Sequence, residues 1–469
     1  MARKNIALET SLVVAVVIAA FVMQSVISQT QPPSLPDSVK EEAVVDFTDD
    51  GEEEVVVSEV EEESSILIPA KYDVNLADLG VEPNWLELDD YQYTMSKEEF
   101  QHLLTKVFTV GDYWEKWFSF EEEQVVIRTH AADEDREYRL AFKNDVVEKQ
   151  PSSYWKGRDS FIEMNESSPL LGIKIAIDPG HIGGSYAQLE ERQFVLAEGA
   201  PPIQEGNMTL TVASLLVEQL ENLGASVTLL RVKNEPVNPF RPDDYLGYAK
   251  SKLEQKNAVL SGATLEREAA KLFYRNGEIR ARALLVNEKI KPDLVLCIHF
   301  NAGAQPDPEN PILLEDEHFH MILNGAYTEG EVAHDDERFK MVLKIVQGVH
   351  QEEVGLAKAA AVSFAAEAEL PPYQYSANSS RAVNVADNPY LWARNLLANR
   401  LYDCPVVFYE PYLMNGKDSY TRMQVGDYSG LRYINQRLRP SIYQEYVTAV
   451  TKGLVDYYTS KGSEELEGK

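Results

Sequence analysis

Between residues 171 and 458 the chain alternates short apolar segments with amphipathic ones, and this rhythm constrains its fold more than any other feature. Ile173–Ile177 has the composition of a buried strand. A helix capped by Asn207 is predicted next, Gly224 ends it, and Val227–Leu230 is predicted as the following strand. A helix, a glycine and a strand in this order are typical of an α/β fold.

Three further elements continue the pattern. Leu294–Ile298 and Pro405–Tyr409 are apolar and short enough for buried strands, and Tyr443–Tyr457 has the spacing of a closing amphipathic helix. We therefore predict one α/β domain over residues 171–458.

A smaller unit is expected before it, over residues 65–150. Ser96 followed by Glu99 is a capping-box start, and apolar residues recur behind it at helical spacing. Val125–Ile127 and Tyr138–Leu140 are predicted as short strands. The pattern indicates a small α+β accessory domain whose aromatic residues form its core.

The first 64 residues carry location signals rather than a fold. Arg3 and Lys4 precede an uncharged apolar run, Leu12–Met23, which predicts a secretory signal peptide or an uncleaved membrane anchor over residues 1–28. Either would place the rest of the chain outside the cytoplasm, in the periplasm or cell envelope. Residues 29–64 are rich in Glu and Asp and are predicted to be an acidic disordered linker.

Charge and cysteine content exclude several classes of protein. The formal net charge is −32, and an acidic chain is repelled by nucleic acid and by anionic membrane surfaces. The two cysteines, Cys297 and Cys404, cannot form a disulfide framework or a thiolate zinc site. Both lie in apolar stretches and are expected to be buried thiols, with a single disulfide as the alternative.

Polar residues follow three of the predicted strands. His181 comes after Asp-Pro-Gly, His299 follows Leu-Cys-Ile, and Glu410 follows Val-Val-Phe-Tyr. Ligands of open α/β sheets bind outside the carboxyl ends of the strands, where these side chains can converge. Two imidazoles and a carboxylate suit Zn²⁺ with one position left for water.

The third ligand is less clearly marked. Glu205 is preferred because it precedes the helix that opens at Asn207, while Glu190 and Glu191 compete because they lie nearer to His181. They belong to a stretch from Tyr186 to Pro202 that resembles an inserted loop. Two other groups of residues stay open as alternatives. One of His318 and His320 could replace Glu205, and Arg381 and Arg394 could contact carboxylates or lie on a helix surface.

Four segments in order resemble the motifs of the zinc-dependent N-acetylmuramoyl-L-alanine amidases (amidase type 3, peptidoglycan amidases). They are the segments ending at His181, beginning at Glu205, containing His299-Phe-Asn301 and containing Glu410-Pro-Tyr-Leu-Met-Asn415. The resemblance covers roughly residues 171–458. It implies a mostly parallel sheet flanked by helices, phosphorylase/hydrolase-like, and hydrolysis of the amide between N-acetylmuramic acid and L-alanine in peptidoglycan.

The resemblance also implies roles for residues. His181, Glu205 and His299 would bind Zn²⁺, and Glu410 would be the catalytic base. Beside these ligands in the sequence, Asp178 and Asn301 are expected to orient the imidazoles, with local turn hydrogen bonding as the alternative.

Other readings of the same residues remain. A zinc peptidase or deacylase acting on another amide would use the same four residues, and a non-catalytic wall-binding protein would keep only the fold. Segments 232–278 and 304–335 are longer than the family pattern and are expected at the cleft rim. The second could restrain activity, alone or with an unknown regulatory partner.

Overall fold

The computed structural model describes residues 67–151, 153–161, 165–195, 199–305, 311–376 and 379–460. The signal or anchor predicted over 1–28 and the linker predicted over 29–64 lie outside these ranges. Within them, no helix is both long and apolar enough to cross a bilayer.

A seven-stranded sheet forms the centre of the larger region. In chain order its strands are β4 (Lys174–Pro179), β7 (Ser226–Leu229), β8 (Leu294–Ile298), β9 (Phe319–Leu323), β10 (Val383–Asn384), β11 (Leu391–Ala393) and β12 (Val406–Pro411). The spatial order is β10-β11-β9-β12-β8-β4-β7. Strands β7, β4, β8 and β12 run parallel, whereas β9 is antiparallel to β12 and β10 to β11. The predicted α/β class with a mostly parallel sheet is confirmed.

Helices cover both faces of this sheet. The bounds of the helices, in chain order, are α1 (Lys97–Leu103), α2 (Glu205–Asn222), α3 (Leu246–Gln255), α4 (Gly262–Lys271), α5 (Glu278–Leu284), α6 (Glu329–Val332), α7 (Asp335–Val346), α8 (Val349–Glu367), α9 (Leu397–Leu401), α10 (Lys417–Val425) and α11 (Ile442–Thr459). Short π-helical turns, Leu272–Gly277 and Leu285–Ile290, flank α5. Side chains from α2, α8 and α11 pack on one face, and side chains from α5 and α9 on the other.

Successive side chains along each strand point to opposite faces of the sheet, and both faces are buried. Ile175 and Ile177 of β4 point into the cluster beneath α2 and α11, while Ala176 between them points into the cluster beneath α5. Strands buried on both faces require nearly continuous apolar sequence, as these have. Cys297 and Cys404 are buried and unpaired in the second cluster, which confirms the expected thiols.

The smaller region contains α1 and an antiparallel sheet of β1 (Phe118–Phe120), β2 (Gln124–Arg128) and β3 (Glu137–Ala141). Ser96 Oγ accepts a hydrogen bond from the Glu99 amide at 3.2 Å, so the predicted cap begins this helix. Its apolar side chains join the larger core, and Ser64–Lys469 form one compact unit. The division at residue 150 stays a prediction about independent folding.

Two short hairpins complete the fold. Strands β5 (Gln193–Phe194) and β6 (Ile203–Gln204) pair within the segment predicted as an insertion, and β13 (Arg432–Ile434) pairs with β14 (Arg437–Arg439). The first hairpin delivers the chain to the start of α2, beside the end of β4.

Candidate metal centre

The turn after β4 brings His181 against His299. A Cβ on Gly180 would lie 2.4 Å from Cε1 of His299, so only glycine allows this approach. His181 itself has a φ of +58°, a left-handed conformation that swings its ring back over the sheet edge. The ring centroids of the two histidines are 5.3 Å apart.

Glu205 reaches the histidines from the first turn of α2. The helix begins at Glu205 itself, two residues earlier than the cap predicted at Asn207. Asn207 instead accepts a hydrogen bond from the Gly184 amide at 2.7 Å and so fixes the loop in place of capping the helix. Gly206 lets the loop come close, since a Cβ there would lie 2.3 Å from the amide nitrogen of Gly183.

The carboxylate of Glu205 bridges the two imidazoles. Its Oε2 lies 3.1 Å from His181 Nε2, and its Oε1 lies 3.2 Å from His299 Nδ1 and accepts from the Phe300 amide. The His299 ring stacks on Phe408, with 5.3 Å between centroids. Three chain segments far apart in sequence therefore present donor atoms to one point.

The donor set fits a zinc ion. Ligand atoms about 2.0–2.1 Å from a tetrahedral metal lie roughly 3.3 Å from one another, which is close to the two measured contacts. Donor atoms of His181, Glu205 and His299 all lie within 4.8 Å of one another. Across the described ranges, this is the only set of three or more His, Cys, Asp or Glu side chains so placed.

The ionisation of these groups follows from their contacts. Burial opposes charge on Glu205, but the imidazoles of His181 and His299 outweigh it and lower the pKa of the carboxyl. Burial likewise opposes charge on His181, yet Glu205 and Glu190 raise the pKa of its ring to about 9. His181 and Glu205 therefore carry opposite charges, and a divalent cation bound at this point would replace their direct contact.

Glu190, considered above as a competing ligand, lies behind His181. Its carboxylate accepts hydrogen bonds from the amides of Ile182 and Gly183 at 3.0 Å, and Oε1 lies 3.4 Å from His181 Nδ1. A carboxylate on the far nitrogen of a ligating histidine fixes the ring and its tautomer. The neighbouring Glu191 is exposed.

Arg192 contacts the same donors from the cleft side. Its Nε lies 3.3 Å from both His181 Nε2 and Glu205 Oε2. A metal cation and this guanidinium therefore compete for the same two atoms. No sequence pattern indicates Arg192, because it lies in the segment predicted as an insertion, whereas the nearness of Glu190 to His181 is visible in the sequence.

The two residues predicted to orient the imidazoles have other partners. Asp178 accepts hydrogen bonds from Arg282 at 2.6 Å and Tyr402 at 2.5 Å, and Arg282 in turn donates to the carbonyl of His181 at 2.9 Å. Asp178 therefore supports the His181 loop through Arg282, whereas Glu190 contacts the His181 ring itself. Asn301 Nδ2 lies 3.3 Å from His318 Nε2 rather than against a ligating ring.

Glu410 occupies the junction of two cavities. It is the second-to-last residue of β12 and is half-buried, and its carboxylate makes no hydrogen bond or ion pair with the residues that the structure describes. Burial raises the pKa of Glu410, and the nearby charges of His299 and Arg394 partly offset that effect. One cavity of about 920 Å³ contains the three metal-type ligands, and another of about 900 Å³ lies beyond Glu410.

Residues from the predicted insertions line these cavities. Lys252, Lys271 and Tyr274 of segment 232–278 line the first, and Leu314 to Asp316 of segment 304–335 line the second. His318 and His320 lie in the second cavity, outside the group that can share an ion with His181.

Comparisons with known proteins give fold likeness only. No protein-family model and no curated protein matches the chain. Among solved structures it resembles the N-acetylmuramyl-L-alanine amidase Ami1 from Mycobacterium smegmatis, with 15% identity over 62% of this chain and 99% of that chain at a TM-score of 0.35. The CwlD amidase from Clostridioides difficile, solved with the GerS lipoprotein, matches at 13% identity over 61% and 98% with a TM-score of 0.34. Ami1 from Mycobacterium abscessus matches at 17% identity over 61% and 99% with a TM-score of 0.33. At such scores the geometry of the site has to carry the functional conclusion.

Proposed function

We propose that this chain is a zinc-dependent N-acetylmuramoyl-L-alanine amidase of the cell envelope. It would hydrolyse the amide between the lactyl group of N-acetylmuramic acid and L-alanine in peptidoglycan. One observation carries the proposal: His181, Glu205 and His299 converge at one point, with the unpaired carboxylate of Glu410 in the same cleft. These are the residues of the four motifs that resemble this family.

The metal would be held by His181, Glu205 and His299. Bound there, Zn²⁺ would supply Lewis-acid polarisation of a carbonyl and lower the pKa of water. Glu190 holds the His181 ring from behind, and Arg282 holds the backbone of the same turn. Phe408 packs against the His299 ring and shields its far side from solvent.

Glu410 is the candidate for proton transfer. Its carboxylate is free of protein partners among the described residues, so it can accept a proton from the attacking water and deliver it to the leaving amine. A raised pKa suits this exchange, because the protonated form must persist long enough to protonate the nitrogen. Water adds to the carbonyl carbon, the C–N bond breaks, and the products are a carboxylic acid and the free amine of L-alanine.

The deciding experiment identifies the bond that is broken. Purified peptidoglycan is incubated with the zinc-loaded full chain, and the soluble products are analysed by mass spectrometry. Release of peptides with a free L-alanine amine supports the proposal, and loss of release after chelation with recovery on adding zinc ties it to the metal.

Other outcomes separate the alternatives. Cleavage within the stem peptide, or of a plain peptide at a comparable rate, indicates a peptidase or deacylase. Binding to peptidoglycan without any new amine indicates a wall-binding protein that has kept the fold.

A further inference from the structure

The second cavity has its own set of polar side chains. We call it the His–Tyr cavity and define it by His318, His320, Tyr373, Tyr375 and Arg394. It has a volume of about 900 Å³ and lies next to the metal-ligand cavity. The two share four lining residues, Asn301, Ala302, Arg394 and Glu410, so a molecule bound at Glu410 can extend into both.

Strand register places this cavity directly beside the proposed base. Glu410 of β12 and His320 of β9 are opposite each other in the antiparallel pair. Opposed residues project from the same face of a sheet, and His318, two residues earlier, projects from that face as well. The cavity therefore begins one strand away from the site of proton transfer.

A chain of hydrogen bonds leads from the cavity wall to Arg394. Arg394 Nη1 donates to Tyr375 Oη at 3.1 Å, and Tyr375 Oη lies 3.2 Å from His320 Nε2. The phenol oxygen of Tyr375 therefore links the guanidinium to the imidazole. Burial lowers the pKa of His320 to about 3, so its ring is neutral near pH 7.

One ring nitrogen of His320 has no hydrogen-bond partner among the described residues. His320 is 3% exposed, and its Nδ1 makes no hydrogen bond with any described residue. That nitrogen is shielded from solvent, so a ligand in the cavity is expected to meet the cationic side chains that line it instead.

Arg394 is also short of a partner. The buried Arg282, Arg400 and Arg422 face carboxylates at 2.6 to 2.9 Å. The buried Arg231 donates mainly to backbone carbonyls, and Arg394 is half-buried. No carboxylate of the described residues forms an ion pair with Arg394, whose contacts are the hydroxyl and the ring of Tyr375. Its remaining guanidinium N–H groups can pair with an anion, and a carboxylate matches their spacing.

The acidic residues Glu315 and Asp316 at the rim of the His–Tyr cavity do not pair with Arg394. Glu315 also lines the cavity but pairs with Lys417 at 3.0 Å, and Asp316 beside it is exposed. Arg381 lines the cavity too and is exposed, and it forms no ion pair with a described residue, so it adds positive charge to the same space.

We propose that the His–Tyr cavity is a subsite for a carboxylate on the peptide part of the substrate, with Arg394 as its ionic partner and Tyr375 as the residue that positions Arg394. This rests on the proposed function, because a glycopeptide spanning Glu410 has its peptide on one side of the scissile amide. The enzyme would then favour acidic peptides through a contact with Arg394, which lies outside the group of metal ligands.

The test compares two probes that differ only in charge. They are N-acetylmuramoyl-L-alanyl-glutamic acid and its diamide, in which both carboxylates are carboxamides. Binding is measured by calorimetry to the zinc-loaded full chain carrying Glu410→Gln, which prevents turnover. The acid should bind about 10- to 100-fold more tightly than the diamide, as expected for a charged hydrogen-bonded pair.

Variants assign that preference to the cavity. Arg394→Gln should abolish the difference between acid and diamide, and Tyr375→Phe should reduce it while leaving zinc affinity unchanged. Arg267→Gln removes the same charge from an exposed position on α4 and should leave the preference intact. If Arg394→Gln fails to fold in thermal unfolding, Tyr375→Phe decides.

Equal affinity for the two probes, no binding of either, or an unchanged preference in both variants would overturn the subsite. That result is independent of bond cleavage in peptidoglycan. An active amidase without the preference refutes only the subsite, and a retained preference without cleavage refutes only the proposed activity.

Discussion

Glu190 Oε1 lies 3.4 Å from Nδ1 of His181, on the opposite side of the ring from Glu205. The same carboxylate accepts two backbone amides from the residues after His181, so one side chain fixes both the ring and its loop. Support for the candidate metal centre therefore comes from the segment between His181 and Glu205, the one that looked inserted.

Glu190→Gln should weaken zinc binding about 10- to 100-fold, because the ring loses the charged partner that fixes its orientation. Affinity can be measured by competition with a chelating dye. Glu191→Gln is the matched control, since it makes the same change at the exposed neighbouring position and should bind zinc like the wild type. Equal affinity in the two variants would leave Glu190 a purely structural residue.

Glu410→Gln should lower kcat for peptidoglycan by about 10²- to 10⁴-fold, because the amide cannot accept the proton from water. Zinc content per chain should be unchanged, since Glu410 lies outside the group of metal ligands. Product release and metal content are measured on the same preparation. Retention of full activity with zinc bound would remove Glu410 from its assigned role.

Gly206→Ala should disrupt the site without adding any polar group. The new Cβ would lie 2.3 Å from the amide nitrogen of Gly183, so the loop after His181 must move away from Glu205. We expect destabilisation of about 1–3 kcal/mol and weaker zinc binding, measured by urea unfolding and dye competition.

Gly247→Ala provides the comparison for that variant. Position 247 lies in α3, and an added Cβ there would have no described atom within 4 Å apart from its chain neighbours and its own helix backbone. Alanine should therefore leave zinc binding unchanged and stabilise the helix by up to about 1 kcal/mol. Normal zinc binding by Gly206→Ala would show that the loop adjusts and that close backbone approach is dispensable.

Glu353 should make the stability of the fold depend on pH. Burial raises its pKa to about 7, against an ordinary value of 4.5, although Lys344 partly offsets this effect. Between these values the folded protein holds a proton that the unfolded chain has released, so stability falls as pH rises and the contribution is lost above pH 7.

Glu353→Gln removes that titration. Relative to the variant, the wild type should lose up to roughly 3 kcal/mol of unfolding free energy between pH 4.5 and pH 8. Urea unfolding across this range measures the difference, and Glu221→Gln, on the exposed side of α2, should follow the wild-type curve. Parallel curves for Glu353→Gln and the wild type would contradict a buried, protonated carboxyl.

Much of the fold was accessible from local pattern. Leu294–Ile298 was predicted with its exact bounds, and the strands ending before His181 and Glu410 were placed within two residues. These segments are apolar on both faces and bounded by glycine, proline or polar residues, so local sequence is enough to define them. The helix α2 begins at Glu205, two residues before the predicted Asn207. Asn207 has a side chain typical of a cap, but it accepts a hydrogen bond from the Gly184 amide instead.

The sequence by itself determined which polar residues flank the apolar segments, and from their positions His181, Glu205, His299 and Glu410 could be proposed as one site. Tertiary structure alone decided which groups surround them. Asp178 is predicted to orient an imidazole, yet its carboxylate accepts hydrogen bonds from Arg282 and Tyr402. Glu190 instead contacts the ring of His181. Strands are defined by local periodicity, whereas the partners of a buried charge depend on which distant chain segments the packed core brings into contact with it.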